Sequence, residues 1–172
     1  MISLPIESER LRIRPFEPAA DAAAMHELWG DPEAMQFVRP DRERLSVDDV
    51  RDRLEQTVLR NRDGWGFWAL EERESGAVVG GAGLFPLAWE GPEIEVAYHV
   101  VPSRWARGYA TEAGAALLEA AWRETDLDQV VAVAFAENRA STRVMEKLGM
   151  RYEGPSRYRE FEVVRYSIPR PR

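Results

Sequence analysis

Residues 103–122 read SRWARGYATEAGAALLEAAW, and this stretch decides the fold. Two arginines, Arg104 and Arg107, stand just ahead of Gly108, and a helix rich in small residues begins at once. Each guanidinium offers a planar fork of donors suited to an anion. Gly108 lets the backbone pass close to a ligand. The amides of Gly108, Tyr109, Ala110 and Thr111 would be the unpaired N–H groups of the new helix, which attract phosphate or pyrophosphate. A helix start with two surface arginines is the plainer reading, and these residues alone leave both open. The stretch does not match G-x-x-x-x-G-K-[ST], which occurs nowhere in the chain.

Outward from that point the pattern is of strands and helices in alternation. PEIEVAYHVV (92–101) alternates as a strand directly before the loop, and QVVAVAF (129–135) is an apolar run typical of a strand covered on both faces. NRASTRVMEKLGM (138–150) reads as a helix capped by Asn138 and stopped at Gly149. Upstream, RLRIRPF (10–16) predicts a strand, EPAADAAAMHELWGDPEAM one or two short helices restarting at Asp31-Pro32, and Ser46 the cap of a helix to about Arg62. GWGFWALEERESGAVVGGAGLFPL predicts two strands about a turn at Glu74-Ser75-Gly76, and GGAGLF within it reads as close strand packing. The tail YEGPSRYREFEVVRYSI predicts a closing hairpin. A strand–helix–strand–helix unit between hairpins implies a mixed α/β sheet in a single domain over 1–172.

Composition narrows the chemistry. The 172 residues include no cysteine, so there is no thiolate metal site and no cysteine nucleophile. His26 begins H-E-L-W-G, where Gly30 stands in place of a second zinc ligand, so no metal site is expected. No run approaches ~18 apolar residues and the start lacks a secretory pattern, so neither a membrane span nor a signal is expected. A net charge of −7 argues against nucleic acid as a partner. Over 1–100, 11 basic against 20 acidic residues leave −9, while 9 against 4 over 138–172 leave +5. Such polarity suits a cationic partner on one half and an anionic one on the other, or simply solvated faces.

EIEVAYHVVPSRWARGYATEA (93–113) resembles the acyl-CoA-binding core of the GNAT N-acetyltransferases, most closely the branch that acetylates the N-termini of bacterial ribosomal proteins. ESERLRIRPFEP, HELWGDPEAM, the central hairpin and ENRASTRVMEKLGM resemble further parts of that branch in the same order, so the likeness covers nearly the whole chain. It implies a twisted, mostly antiparallel sheet of about seven strands flanked by helices. It also implies acetyl-CoA as co-substrate, a cationic amine acceptor, a cytoplasmic monomer or homodimer, and direct transfer in a ternary complex. The anion becomes the coenzyme A pyrophosphate, held by the amides of Gly108, Ala110 and Thr111 with Arg107 and Tyr109 alongside. Trp105 departs from the Gln or Arg usual there, and Arg104 would supply the missing charge. Asn138 would bond the pantetheine arm, Ser141 would face the sulfur, and a backbone N–H near Val100 would meet the oxyanion. Met145 stands where many relatives have a tyrosine acid, leaving Ser141 as the candidate acid.

The reaction needs a neutral amine. A lysine-type amine is only ~10⁻³ neutral at pH 7, whereas an α-amino group is ~10–20% neutral. Glu95 is the candidate base; the strand places it on one face with Glu93, Ala97 and His99, opposite Ile94, Val96, Tyr98 and Val100. The resemblance puts a frequent glutamate of the family there, but an ordinary glutamate is a weak base unless buried. A solvent-facing charge at Glu95, or His99 as the base, stays open. Trp29 and Trp89 are candidates for the acceptor side. Three functions follow: acetylation of a protein N-terminus, acetylation of a small amine, or acyl-CoA sensing without turnover.

Overall fold

The computed structural model describes residues 2–38 and 44–172. Its strands are β1 (Ile6–Glu7), β2 (Leu11–Arg14), β3 (Gly66–Glu72), β4 (Val78–Pro86), β5 (Ile94–Val100), β6 (Gln129–Ala134), β7 (Arg151–Tyr158) and β8 (Phe161–Pro169). The helices are α1 (Pro18–Trp29), α2 (Val47–Arg60), α3 (Tyr109–Glu124) and α4 (Arg139–Lys147). The strands form one sheet in the order β1-β2-β3-β4-β5-β6-β8-β7, antiparallel throughout except where β5 meets β6. The eighth strand, against the expected seven, is β1. Its two residues are too few to show a period of two, and its pairing to β2 defines it.

The helix starts follow local chemistry. Ser46 and Asp49 form a reciprocal cap on α2, with the Asp49 N–H donating to Ser46 Oγ at 3.2 Å and the Ser46 N–H to Asp49 Oδ2 at 2.8 Å. The expected restart at Asp31-Pro32 makes only turns over 32–38, not a second helix. Seven residues give too few bonds to repay helix nucleation.

The sheet separates two apolar layers. On one face α3 lays Ala113, Leu117, Ala120 and Ala121, all fully buried, against Leu70, Ala82, Leu84 and Val96. That is why the helix is built of alanine: small side chains let its axis approach the strands. Gly114 extends the logic to α4, since a Cβ there would lie 2.7 Å from Leu148 Cδ1. On the other face α1 and α2 cover Phe67, Ala69 and Phe85 with Met25, Leu28, Val50 and Leu54. The two faces must interlock at β4, where a Cβ on Gly83 would come within 2.0 Å of the Gly66 carbonyl oxygen. The glycines of GGAGLF are therefore packing residues, as the strand pattern implies.

Candidate active site

β5 and β6 are joined by a single registered pair, Glu95 with Val131, and then diverge. Parallel strands that part leave backbone groups on the open edges without ladder partners. On its other side β5 is fully paired to β4 through Val100, and the Val101 N–H donates to the Val79 carbonyl at 2.9 Å. Ladder bonds alternate, so odd-numbered residues of β5 bond to β4. Tyr98 and Val100 therefore turn their backbone groups toward the gap.

The gap is the floor of a cleft of about 670 Å³. Every residue assigned from the sequence to catalysis or to coenzyme A lines it: Glu95, Val100, Arg104, Arg107, Gly108, Tyr109, Ala110, Thr111, Asn138 and Ser141. Gly108 sits left-handed at φ 82°, and its carbonyl accepts the first helical bond of α3, from the Glu112 N–H at 3.0 Å. Among the described residues no side chain caps the amides that follow. Arg143 and Lys147, one turn apart on α4, also line the cleft, as Arg104 and Arg107 do. An uncapped helix terminus in a cleft with four such cations suits a polyphosphate.

Trp105 explains its own departure from the family pattern. Its indole N–H donates to the Val100 carbonyl at 2.6 Å, tying the loop to the end of β5. Tyr109 offers less than expected: its hydroxyl bonds to Glu72 and its ring lies 4.7 Å beneath the Arg10 guanidinium. Its contribution to the loop is its main-chain N–H. Asn138 caps α4 by accepting from the Ser141 N–H at 3.1 Å, which leaves its amide NH₂ for the cleft. The sequence reading missed Tyr98, whose hydroxyl donates to the Ser141 carbonyl at 3.3 Å and braces α4 against the parted strands.

A second cleft, of about 600 Å³, opens on the α1–α2 side. It shares Phe37, Val38, Glu95, Ala97, His99, Val133 and Ala134 with the first. Glu95 thus stands at the junction, and it is no surface charge: it is 6% exposed. Burial pushes its carboxyl up to about 8, opposed by a hydrogen bond from the Ala88 backbone. Burial pulls His99 down to about 4, so its ring is neutral at pH 7. Glu95 Oε2 and His99 Nδ1 are both buried without a partner among the described residues. Two unsatisfied polar atoms at a junction of clefts mark where a ligand's polar group belongs.

These shifts carry a stability signature. In an unfolded chain Glu and His titrate near ~4.3 and ~6.5. From there to about pH 6.5 the extra proton that folding keeps on Glu95 and the one it denies His99 cancel. Between about 6.5 and 8 only Glu95 remains; the folded chain holds the extra proton, and stability falls as pH rises. We expect Glu95→Gln to remove that decline and raise Tm by a few degrees at pH 8, by calorimetry or circular dichroism. An unchanged slope would place Glu95 in water.

The Acetyltransferase (GNAT) domain model matches residues 10–151. The chain belongs to the GNAT acetyltransferase family. The uncharacterized Bacillus subtilis protein YkkB is 30% identical over 150 residues, 84% of each chain. The uncharacterized N-acetyltransferase YnaD of the same organism is 30% identical over 157 residues, covering 87% of this chain and 84% of its own. A GNAT-family acetyltransferase structure from Bacillus anthracis superposes with a TM-score of 0.82 at 27% identity, covering 97% of this chain and 99% of that one. RimL, a ribosomal L7/L12 α-N-protein acetyltransferase solved with coenzyme A, superposes at 0.79 over 96% and 97% of the two chains. At 16% identity that last likeness is one of fold. This GNAT enzyme is an N-acetyltransferase, and the family's fold uses acetyl-CoA. Among the described residues no cluster of His, Cys, Asp or Glu could hold a metal, and no helix is long and apolar enough to cross a membrane.

Proposed function

We propose that this enzyme acetylates the α-amine of a protein N-terminus from acetyl-CoA, by direct transfer between two clefts that meet at Glu95. The observation that carries this is the position of Glu95, buried between an arginine-lined cleft and an aromatic one. The amides of Gly108, Ala110 and Thr111, with Arg104 and Arg107, hold the diphosphate, and Asn138 and the open edge of β5 orient the pantetheine. When bound, acetyl-CoA supplies the electrophilic acyl carbon and the thiolate leaving group. The Val100 N–H points at charge developing on the acyl oxygen. The Ser141 hydroxyl, directly or through water, would pass a proton to the sulfur and regain the one that the amine gives up.

The proton balance favours an α-amine. Glu95 at about 8 nearly matches an α-amino group at ~7.7–8.0, so the transfer is close to thermoneutral. A lysine side chain at ~10.4 would give up its proton at a cost of about 3 kcal/mol. His99, held near 4, is too weak to take the proton from either. The acceptor arrives as a cation, which the acidic N-terminal half attracts.

Coenzyme A should bind at micromolar strength, measurable by calorimetry. No heat at millimolar coenzyme A would overturn the proposal at its first step. Thiol release that follows amine concentration separates the enzyme from a silent acyl-CoA sensor.

A further inference from the structure

We infer that the second cleft selects an α-amine bearing a bulky apolar or aromatic side chain and, one carbon further on, a carboxylate or peptide carbonyl. This rests on the transferase reading above and names the acceptor class within it.

The walls are aromatic to an unusual degree. Trp29, Phe67, Phe85, Trp89, Phe135 and Phe161 all line the cleft, and Glu95 and His99 are at its floor. Phe67 packs 5.2 Å from the His99 ring, and Phe85 meets Phe67 edge-on at 6.3 Å. An amine delivered to Glu95 therefore places its α-carbon substituent against these rings. An apolar group gains contact there, whereas a hydrogen or a charge does not.

The backbone is spent on building this wall. Ala88 and Trp89 lie in left-handed conformation at φ 57° and 64°, a region that residues other than glycine rarely adopt. Two consecutive strained residues persist only where their surroundings hold them, and such sites cluster at ligand clamps. The strain has three consequences here. It aims the Ala88 backbone at Glu95, and it stacks Trp89 flat on Phe85 at 4.5 Å. It also presents the Ala88 carbonyl to Arg159 Nη2 at 3.1 Å. One turn thus orders the base, the apolar wall and a guanidinium together.

Charge decides the rest. Beyond the floor, the described lining of the cleft carries Arg60 and Arg159 with one carboxylate, Glu160. A polyamine would bring its second ammonium among guanidinium groups. A carboxylate or carbonyl beside the α-carbon meets them instead. The overall acidity of the N-terminal half draws in an ammonium, but the local lining limits it to one.

The test compares Phe-Ala-Ala, Ala-Ala-Ala, free phenylalanine and spermidine by product mass and kcat/KM, with calorimetric binding of each to the coenzyme A-loaded protein. We expect Phe-Ala-Ala to exceed Ala-Ala-Ala by about tenfold or more, with spermidine below both. Trp89→Ala should shrink that ratio to about threefold while leaving coenzyme A affinity unchanged. The free amino acid against the peptide shows which of the two supplies the α-amine. Equal use of the two peptides, or a preference for spermidine, overturns the inference and leaves the transferase reading standing. Tighter binding of Phe-Ala-Ala with no product from any acceptor supports the cleft's selectivity and removes the transferase. Neither binding nor product from the whole panel overturns both.

Discussion

Glu95→Gln should lower kcat by ~10²–10⁴ at pH 7, about 3–5 kcal/mol of barrier, with coenzyme A affinity nearly unchanged. The substitution keeps the carbonyl oxygen that accepts from the Ala88 backbone and removes only the group that takes a proton. The diphosphate site proposed at the Gly108 loop lies beyond the end of β5, away from this side chain. The pH profile gives a second readout. kcat/KM reports the free enzyme and the free acceptor. It should rise as Glu95 ionises and fall as the free α-amine loses the proton that Glu95 is to take, a bell centred near pH 8. With two acceptors whose amine pKa values differ by about a unit, one limb should move and the other stay. The fixed limb belongs to Glu95 and should vanish in the glutamine variant. Activity within about threefold of wild type would leave the amine's own neutral fraction as the only source of nucleophile.

The alternation of β5 put Glu95 and His99 on one face and Tyr98 and Val100 on the other, and the sheet keeps that division. What alternation cannot reveal is where a ladder ends. Tyr98 reads as a core residue beside Val96, yet beyond the Glu95–Val131 pair the same face becomes a cleft wall. The burial of Glu95 was equally hidden, because it depends on a cross-strand register: Phe85 on β4 is paired with Glu95, and Trp89 stacks on Phe85. Local signals fared better. The Ser46 box, the Asn138 cap and the Gly108 start each depend on neighbours in sequence, and each stands where expected. Arg143 and Lys147 carried a usable signal that went unread: a basic pair at i, i+4 on the helix that opens at Asn138. In the +5 C-terminal segment they pass for solvated charges until α4 turns them over the cleft.

Gly108 gives the second large effect, and three substitutions divide it by cause. At φ 82° alanine is strained by about 1–2 kcal/mol, whereas asparagine and aspartate enter this region more readily. Space is not the obstacle, because a Cβ there meets only Arg10 Nη2 at 3.5 Å. Asparagine and aspartate share a shape, so their difference isolates charge. A carboxylate ~4 Å from a phosphate charge repels it by about 4 kcal/mol at an effective dielectric of ~20. Arg104 and Arg107 compensate part of that. We therefore expect coenzyme A affinity to fall at least ~30-fold further in Gly108→Asp than in Gly108→Asn, about 2 kcal/mol. The gap should narrow as salt is raised, since screening shortens the reach of the added charge. Equal affinities in the two folded variants would mean that no phosphate lies at this helix start. The +82° glycine would then serve only the turn from the Trp105 anchor into α3.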